Sequence, residues 1–171
     1  MTRLLAISGS LRARSSNTAV VRAIALIAPD GVEVDVCEQI GELPHFNPDV
    51  EESNDLPPAV AEFRARVGAA DAIMICSPEY AHGVPGSMKN ALDWLVGGPE
   101  IIGKTIALIN AAPHATIAQA QLAETLRTMS TRVSTITLPM SGRRLDAEAI
   151  AGDEELAAML RAAIAALFPK S

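Results

Sequence analysis

Residues 71–77 read DAIMICS, a nearly continuous apolar run that is followed at once by a loop rich in Pro and Gly. Such a run is typical of a β-strand buried on both faces, as in a parallel sheet covered by helices. RLLAIS at 3–8 is also predicted as a strand, KTIALINA at 104–111 as another buried strand and VSTITLP at 133–139 as a fifth strand, whereas VEVDVC at 32–37 alternates apolar and acidic residues. Apolar residues at helical spacing fill the intervals. The pattern therefore predicts five strands joined by helices.

Strands that alternate with helices predict right-handed βαβ units, and hence a parallel sheet with helices on both faces. For five strands we expect the order 2-1-3-4-5, in a flavodoxin-like three-layer α/β sandwich. This order places the second strand at an edge, which agrees with the alternation at 32–37. The polar stretch at 41–56 is interpreted as a loop inside the domain. One domain is therefore predicted over residues 1–171.

The composition excludes several classes of function. The 171 residues are 49% apolar, 20% charged and 3% aromatic, with a net charge of −6. This balance argues against a disordered chain and against a nucleic-acid partner. The charge is segregated, because residues 1–29 carry +4 and residues 30–62 carry −10, and the acidic residues at 49–55 are expected to be solvated. A positively charged N-terminal segment on an acidic chain indicates a local anion site.

The two cysteines, Cys37 and Cys76, do not form a disulfide framework. They end the second and third strands, and the first strand lies between these in the predicted order. A separation of about 9–10 Å follows, which exceeds the reach of a disulfide, so both are predicted to be free thiols. No apolar run is long enough for a signal peptide or a membrane span, so we expect a cytoplasmic protein without a membrane partner.

The loop after the first strand, SGSLRARSSNT at 8–18, has the composition of a phosphate site. A helix follows it, and the free N–H groups at a helix N-terminus favour a bound phosphate. The hydroxyl and amide side chains of the loop can donate hydrogen bonds, and Arg12 adds a planar charged fork. The alternative is that Ser16 or Asn17 only caps the helix while the arginines are solvated. The loop lacks the glycine patterns of dinucleotide and NTPase sites.

The loop after the third strand, SPEYAHGVPGS at 77–87, is the second candidate for ligand binding. Ligands of parallel sheets bind beyond the carboxyl ends of the strands, where the strand order reverses. Two Pro and two Gly residues fix the path of this loop and allow its backbone to approach a ligand closely. Backbone N–H and C=O groups suit the edge of a flat heterocycle, and Tyr80 adds an amphipathic ring.

Together the two loops resemble the NADPH-dependent FMN reductase family, which includes quinone, chromate and azo-dye reductases. GSLRARSSN fits the family pattern G-S-x-R-x-x-S-x-N. SPEYAHGVPGSMKNALDW fits P-E-Y-x-x-x-x-P-G-x-x-K-N-A-h-D-W, where h is apolar. The motifs occur in the family's order, and the resemblance covers most of the fold. It implies a flavodoxin-like domain that binds FMN.

The resemblance also implies the residues of a flavin site. It assigns the FMN phosphate to Ser10, Arg12, Ser15 and Asn17, with Ser16 and Thr18 nearby. It assigns the border of the isoalloxazine ring to Pro78, Glu79, Tyr80 and the backbone of Ala81, His82 and Gly83. This chain departs from the family at two places: many relatives have Asn where Ala81 stands, and many have a Gly-rich loop where residues 110–116 read NAAPHAT. From that loop, His114 could reach the ring or the substrate.

An enzyme of this family would transfer hydride from NAD(P)H, the co-substrate, to flavin N5 and then reduce a quinone, flavin, azo or metal-oxyanion acceptor. The protein would orient the cofactor, so no catalytic acid or base is assigned. A homodimer or homotetramer is expected, as in relatives. The alternatives are an electron carrier like flavodoxin and a module that binds flavin without NAD(P)H turnover. The scarcity of aromatic residues to sandwich the ring favours the enzyme.

Other residues that could bind a metal or a ligand are interpreted as structural. His45, His82 and His114 are 37 and 32 residues apart, so no metal site is predicted. Trp94 is expected to pack in the core. Lys89 and Asp93 are spaced for an ion pair within one helix.

Overall fold

The computed structural model describes residues 1–53 and 55–168. Its strands are β1 (Thr2–Ser8), β2 (Val32–Cys37), β3 (Ala72–Cys76), β4 (Thr105–Asn110) and β5 (Arg132–Thr137). Its α-helices are α1 (Ser16–Ile27), α2 (Pro48–Glu52), α3 (Pro58–Ala69), α4 (Gly86–Val96), α5 (Ile117–Thr128), α6 (Ala147–Gly152) and α7 (Glu154–Leu167), and a 3₁₀ helix spans Ile40–Glu42. The strands form one parallel sheet in the order β2-β1-β3-β4-β5, so the predicted fold and strand order are confirmed.

Burial along each strand follows the position of that strand in the sheet. All five residues of β3 are buried, because this strand lies at the centre with helices on both faces. The edge strand β2 alternates between half-buried and exposed residues, and β5 at the other edge is mostly exposed. The continuous and alternating apolar patterns therefore predicted the central and edge positions of β3 and β2.

Two hydrophobic cores lie on the two faces of the sheet. On one face, α1, α6 and α7 pack on side chains that include Leu4 and Met74. On the other face, α3, α4 and α5 cover Leu5 and Ile73. Neighbouring residues of one strand thus face opposite cores, as the two-residue period of a strand requires. Both faces are covered, and the loops beyond the carboxyl ends of the strands remain free to form a site.

Three local elements differ from the prediction. Ser15, rather than Ser16 or Asn17, is the N-cap of α1. The segment 41–56, predicted as a loop, contains the short helix α2. Helix α6 is additional, and it begins where the Asp146 carboxylate accepts a hydrogen bond from the Ala149 N–H at 2.8 Å.

The acidic residues at 49–55 are not all solvated. Glu51 forms an ion pair with Arg64 at 3.3 Å, and Arg64 also binds Glu100 at 3.0 Å. The Arg64 side chain is only 13% exposed. The expectation of a solvated loop is therefore wrong for Glu51, because Arg64, 13 residues further along the chain, lies against its carboxylate. This cluster attaches α2 to α3.

Trp94 packs in the core as predicted, and it also anchors the segment 41–56. It is fully buried, and its Nε1 donates a hydrogen bond to the Pro44 carbonyl at 2.8 Å. Its ring meets the Phe46 ring edge-to-face, with 5.1 Å between centroids. Asn90 donates to the same carbonyl at 2.9 Å. These two residues of the second motif therefore stabilise the fold.

Further predictions concern cysteines and charged side chains. Cys37 and Cys76 are both buried and unbridged, with β1 between their strands, so the predicted free thiols are confirmed. The ion pair between Lys89 and Asp93 on α4 is present.

No helix in the described part of the chain is long and apolar enough to cross a membrane. No group of three or more His, Cys, Asp or Glu side chains among the same residues could hold a metal ion.

Candidate functional site

A cleft of about 850 Å³ opens beyond the carboxyl ends of β1, β3 and β4. Both loops identified from the sequence contribute to it. The predicted site residues that line it are Ser10, Arg12, Ser15, Ser16, Asn17, Thr18, Pro78 and Tyr80. The predicted site residues that lie outside its lining are Glu79, Ala81, His82 and Gly83. The volume is in the range of sites for small molecules and cofactors.

Buried hydroxyl groups fix the start of the first loop. Ser8 Oγ, at the end of β1, lies 2.8 Å from Oγ1 of Thr18 in α1. The same Ser8 oxygen accepts a hydrogen bond from the Ser10 N–H at 3.3 Å. All three residues are buried. The loop is therefore attached to both the strand and the helix, which pre-organises its remaining polar groups.

Ser15 caps the N-terminus of α1 at the cleft. Its backbone is extended, and its Oγ accepts hydrogen bonds from the N–H groups of Asn17 at 3.2 Å and Thr18 at 3.4 Å. A serine at this position satisfies N–H groups that have no partner within the helix. The hydroxyl hydrogen of Ser15 takes no part in these two bonds, so it remains available to an acceptor in the cleft.

The positive charge around the cleft is only partly neutralised. Arg22 binds Glu38 through two hydrogen bonds of 2.6 and 2.7 Å. Arg143 binds Asp153 at 2.6 Å. Within residues 1–53 and 55–168, the guanidinium of Arg12 has no ion-pair partner. Arg12 is therefore a cation that an anionic ligand can use without displacing a carboxylate.

The second loop forms a tight turn at its tip. Tyr80 and Gly83 exchange two backbone hydrogen bonds of 3.1 and 2.9 Å. Between them, Ala81 and His82 have φ angles of 49° and 58°. Two consecutive positive φ angles define a type I′ turn, which favours Asn and Gly over Ala and His. The turn holds Tyr80, which is 55% exposed, at the border of the cleft.

Glu79 attaches the second loop to α5 instead of facing the cleft. Its Oε2 accepts a hydrogen bond from the Ala118 N–H in the first turn of α5 at 2.8 Å. Its Oε1 lies 3.1 Å from Nδ1 of His82. The hydrogen bond from the Ala118 N–H is the main cause that lowers the pKa of Glu79, and the contact with His82 lowers it further. Desolvation acts in the opposite direction. The carboxylate thus fixes the loop, which positions Pro78 and Tyr80.

Sequence reasoning missed a further wall of the cleft. This wall is formed by residues 140–148, which run from the loop after β5 into the start of α6. The loop after β4, from which His114 could reach the ring or the substrate, also contributes Ala111, Ala112 and His114 to the lining. Residues 140–146 of this wall form an irregular loop that is rich in polar residues, with a positive φ of 71° at Gly142. Such a loop has no periodicity to reveal its position, and the adjacent basic residues within it were its only sequence signal.

Comparison with known proteins relates this fold and cleft to one family. The family model described as NADPH-dependent FMN reductase matches residues 2–141. "Probable NADPH:quinone oxidoreductase 2" of rice (Oryza sativa subsp. japonica) is 45% identical over 94 residues, which cover 54% of this chain and 46% of the relative. An NAD(P)H-dependent FMN reductase of Pseudomonas aeruginosa is 38% identical over 112 residues, covering 64% of this chain and 60% of the relative. The match therefore spans about half the length of these curated relatives.

A solved structure extends the likeness over nearly the whole chain. The flavoenzyme NAD(P)H:(acceptor) oxidoreductase FerB of Paracoccus denitrificans superimposes with a TM-score of 0.77 and 30% identity, covering 98% of this chain and 95% of the other. The matched family model includes both loops that build the cleft and ends within its last wall. The chain therefore belongs to the NADPH-dependent FMN reductase family.

Proposed function

We propose that the protein is an NAD(P)H-dependent oxidoreductase that binds FMN in the cleft beyond β1 and β3 and reduces a small acceptor of the quinone class. The observation that carries this proposal is the meeting of both family motifs in one cleft, although they are far apart in the chain. Membership of the family and the names of the rice and Pseudomonas relatives support the same activity and the same pair of substrates.

The residues at the cleft fit FMN. Ser10, Ser15 and Asn17 offer neutral donors, and Arg12 adds an unpaired cation, which together suit a phosphate. At the junction of β1 and β3, a Cβ added to Gly9 would lie 2.3 Å from Ser77 Oγ, so the two loops approach as closely as the chain allows. The Ser77 hydroxyl is buried and has no partner among the described residues. Because Ser77 does not line the cleft, the fit to FMN rests on the donors of the first loop.

At the phosphate end, the chain supplies binding and charge compensation. The Arg12 guanidinium and the hydroxyl of Ser15 would donate to the phosphate oxygens, and the partial positive charge of the α1 N-terminus would add to their attraction. The hydroxyl network below Ser10 keeps the loop in one conformation before the ligand arrives. The loop therefore needs little further ordering when the ligand binds, and the entropic cost of binding is small.

At the ring end, the chain supplies orientation and access. FMN, when bound, supplies the hydride and electron-transfer chemistry of its isoalloxazine ring. Pro78 and Tyr80 would border that ring, and Glu79 holds their loop against α5. Tyr80 is the only Phe, Trp or Tyr among the described lining residues. One face of the ring would therefore stay open, so that NAD(P)H and the acceptor could bind in turn.

Acceptor class, assembly and location extend the proposal. Azo compounds and metal oxyanions are further acceptors to test after quinones. Val96, at the end of α4, and Ile102, in the turn before β4, are large apolar residues with 63% and 61% exposure, and burial of such residues between subunits supports a homodimer or homotetramer. The unbridged thiols of Cys37 and Cys76 agree with a reducing cytoplasm. Light scattering of the purified protein measures the number of subunits.

The activity can be tested with purified protein and an absorbance spectrum. We expect the protein to bind FMN and, under nitrogen, to lose the yellow colour within seconds of mixing with NADPH or NADH. Addition of a benzoquinone should restore the colour in one turnover. Bound FMN that neither nicotinamide reduces would indicate an electron carrier instead. Failure to bind FMN at all would refute both functions.

A further inference from the structure

Beneath the cleft, Cys76 contacts a residue that lines it. Cys76 ends β3 and is fully buried. Its Sγ lies 3.2 Å from Oδ1 of Asn17, in the first turn of α1. Asn17 is only half-buried and is part of the cleft lining. A strand end and a helix start therefore meet through this contact, directly below the proposed phosphate site.

The chemistry of the two side chains determines which way the Asn17 carboxamide faces. Burial raises the pKa of Cys76, and the Ala111 backbone N–H only partly offsets this effect. The side chain is therefore a protonated thiol that can donate its S–H hydrogen. In the structure the acceptor of this hydrogen is Oδ1, so Oδ1 faces the sulfur and Nδ2 faces away from it. No described residue accepts a hydrogen bond from Asn17 Nδ2.

We propose that Cys76 is a positioning residue whose S–H···Oδ1 hydrogen bond holds the Asn17 carboxamide with Nδ2 as a donor to the phosphate of bound FMN. This inference rests on the proposed function, because that function assigns the phosphate to the loop that contains Asn17. Cys76 itself would touch no ligand and would undergo no redox change. Its effect would be to keep the carboxamide from rotating, so that its oxygen never faces the phosphate oxygens.

A role in packing alone makes a different prediction. Cys76 belongs to the core on the α1 face of the sheet, so shortening it also removes buried apolar surface. That loss would affect the whole cleft and would weaken all flavins alike. A positioning role affects the phosphate selectively. Riboflavin, which has the ring and ribityl chain of FMN but no phosphate, separates the two roles.

The test measures dissociation constants of FMN and riboflavin for the apoprotein and three variants. Cys76→Ala removes the donor, Cys76→Ser keeps a donor of similar size, and Cys37→Ala removes the other buried thiol, which lies outside the cleft lining. We expect Cys76→Ala to weaken FMN roughly five- to tenfold, the value of one net hydrogen bond, without changing riboflavin. Cys76→Ser should restore FMN affinity to within about twofold, and Cys37→Ala should change neither ligand.

A double-mutant cycle with Asn17→Ala tests the route of the effect. Once the carboxamide is absent, Cys76→Ala should weaken FMN no further, because there is nothing left to orient. Equal weakening of FMN and riboflavin by Cys76→Ala, full additivity with Asn17→Ala, or an unchanged affinity for FMN would each overturn the inference. Thermal unfolding of every apo variant shows how much stability the substitution itself removes.

A second measurement keeps this inference separate from the proposed function. If the protein bound no flavin, the proposed function would fail, and inorganic phosphate would serve as the probe. We expect phosphate to shift the ¹⁵N-resolved side-chain amide signals of Asn17 in the natural protein, and to shift them much less in Cys76→Ala. Signals that do not respond to phosphate, or that respond equally in both proteins, would refute the positioning role.

Discussion

Replacing Ser15 by aspartate separates the cap of α1 from the anion site that we propose at the same position. Aspartate caps helices about as well as serine does, and its charge interacts favourably with the helix N-terminus by roughly 0.3–1 kcal/mol. The Asn17 and Thr18 N–H groups that Ser15 Oγ now binds at 3.2 and 3.4 Å would therefore keep an acceptor. The melting temperature of the apoprotein should stay the same or rise by about 1–3 °C.

The same substitution should abolish most FMN binding. A carboxylate about 4 Å from a phosphate dianion repels it by roughly 2 kcal/mol in a water-like medium, and by several times more at an effective dielectric constant of about 20. The affinity for FMN should therefore fall by at least about thirtyfold. Ser15→Asn is the matched control, because it has the same shape and capping ability without the charge. Titration of flavin fluorescence measures both variants. Equal FMN affinity in Ser15→Asp and Ser15→Asn would refute the placement of the phosphate.

Three further predictions concern the frame of the site. Gly9→Ala should lower stability by about 1–3 kcal/mol in thermal unfolding, because its Cβ would lie 2.9 Å from the Ser77 backbone, whereas Gly86→Ala, with no atom within 4 Å, should be nearly neutral. Ala81→Asn should raise the melting temperature by about 1–4 °C, since Asn tolerates the positive φ of 49° better than Ala does; no gain would contradict the turn geometry. The lowered pKa of Glu79 means that its stabilising effect is present above its ordinary value of 4.5 and is lost as pH falls through the folded value. In Glu79→Gln, the melting temperature should therefore vary less with pH below that value, and an unchanged pH profile would refute the role of this carboxylate.

The sequence was sufficient for the sheet because each strand has a one-dimensional pattern that its surroundings impose. DAIMICS is apolar throughout since both faces of β3 meet a core, and VEVDVC alternates since β2 lies at an edge. The strand order then placed the first and second loops side by side. Eight of the twelve predicted site residues line the resulting cleft.

What the sequence could not give depends on contacts between distant residues. Glu51 is paired because Glu51 and Glu100 converge on Arg64 in three dimensions, and no local pattern marks that convergence. The resemblance assigned Glu79 to the border of the ring, and it did not reveal that the Glu79 carboxylate binds the N-terminus of α5, which only the folded chain brings near. The wall formed by 140–148 was missed for a similar reason, since an irregular loop has no periodicity that shows which surface it covers.

A crystal structure of the protein with FMN tests the central claim most directly. We expect the phosphate within hydrogen-bond distance of Ser15 and the Arg12 guanidinium, at the N-terminus of α1. We expect the isoalloxazine ring beside Pro78 and Tyr80, with one face open to solvent. A phosphate bound elsewhere, for example at the arginines of segment 140–148 with the α1 N-terminus empty of ligand, would contradict the account.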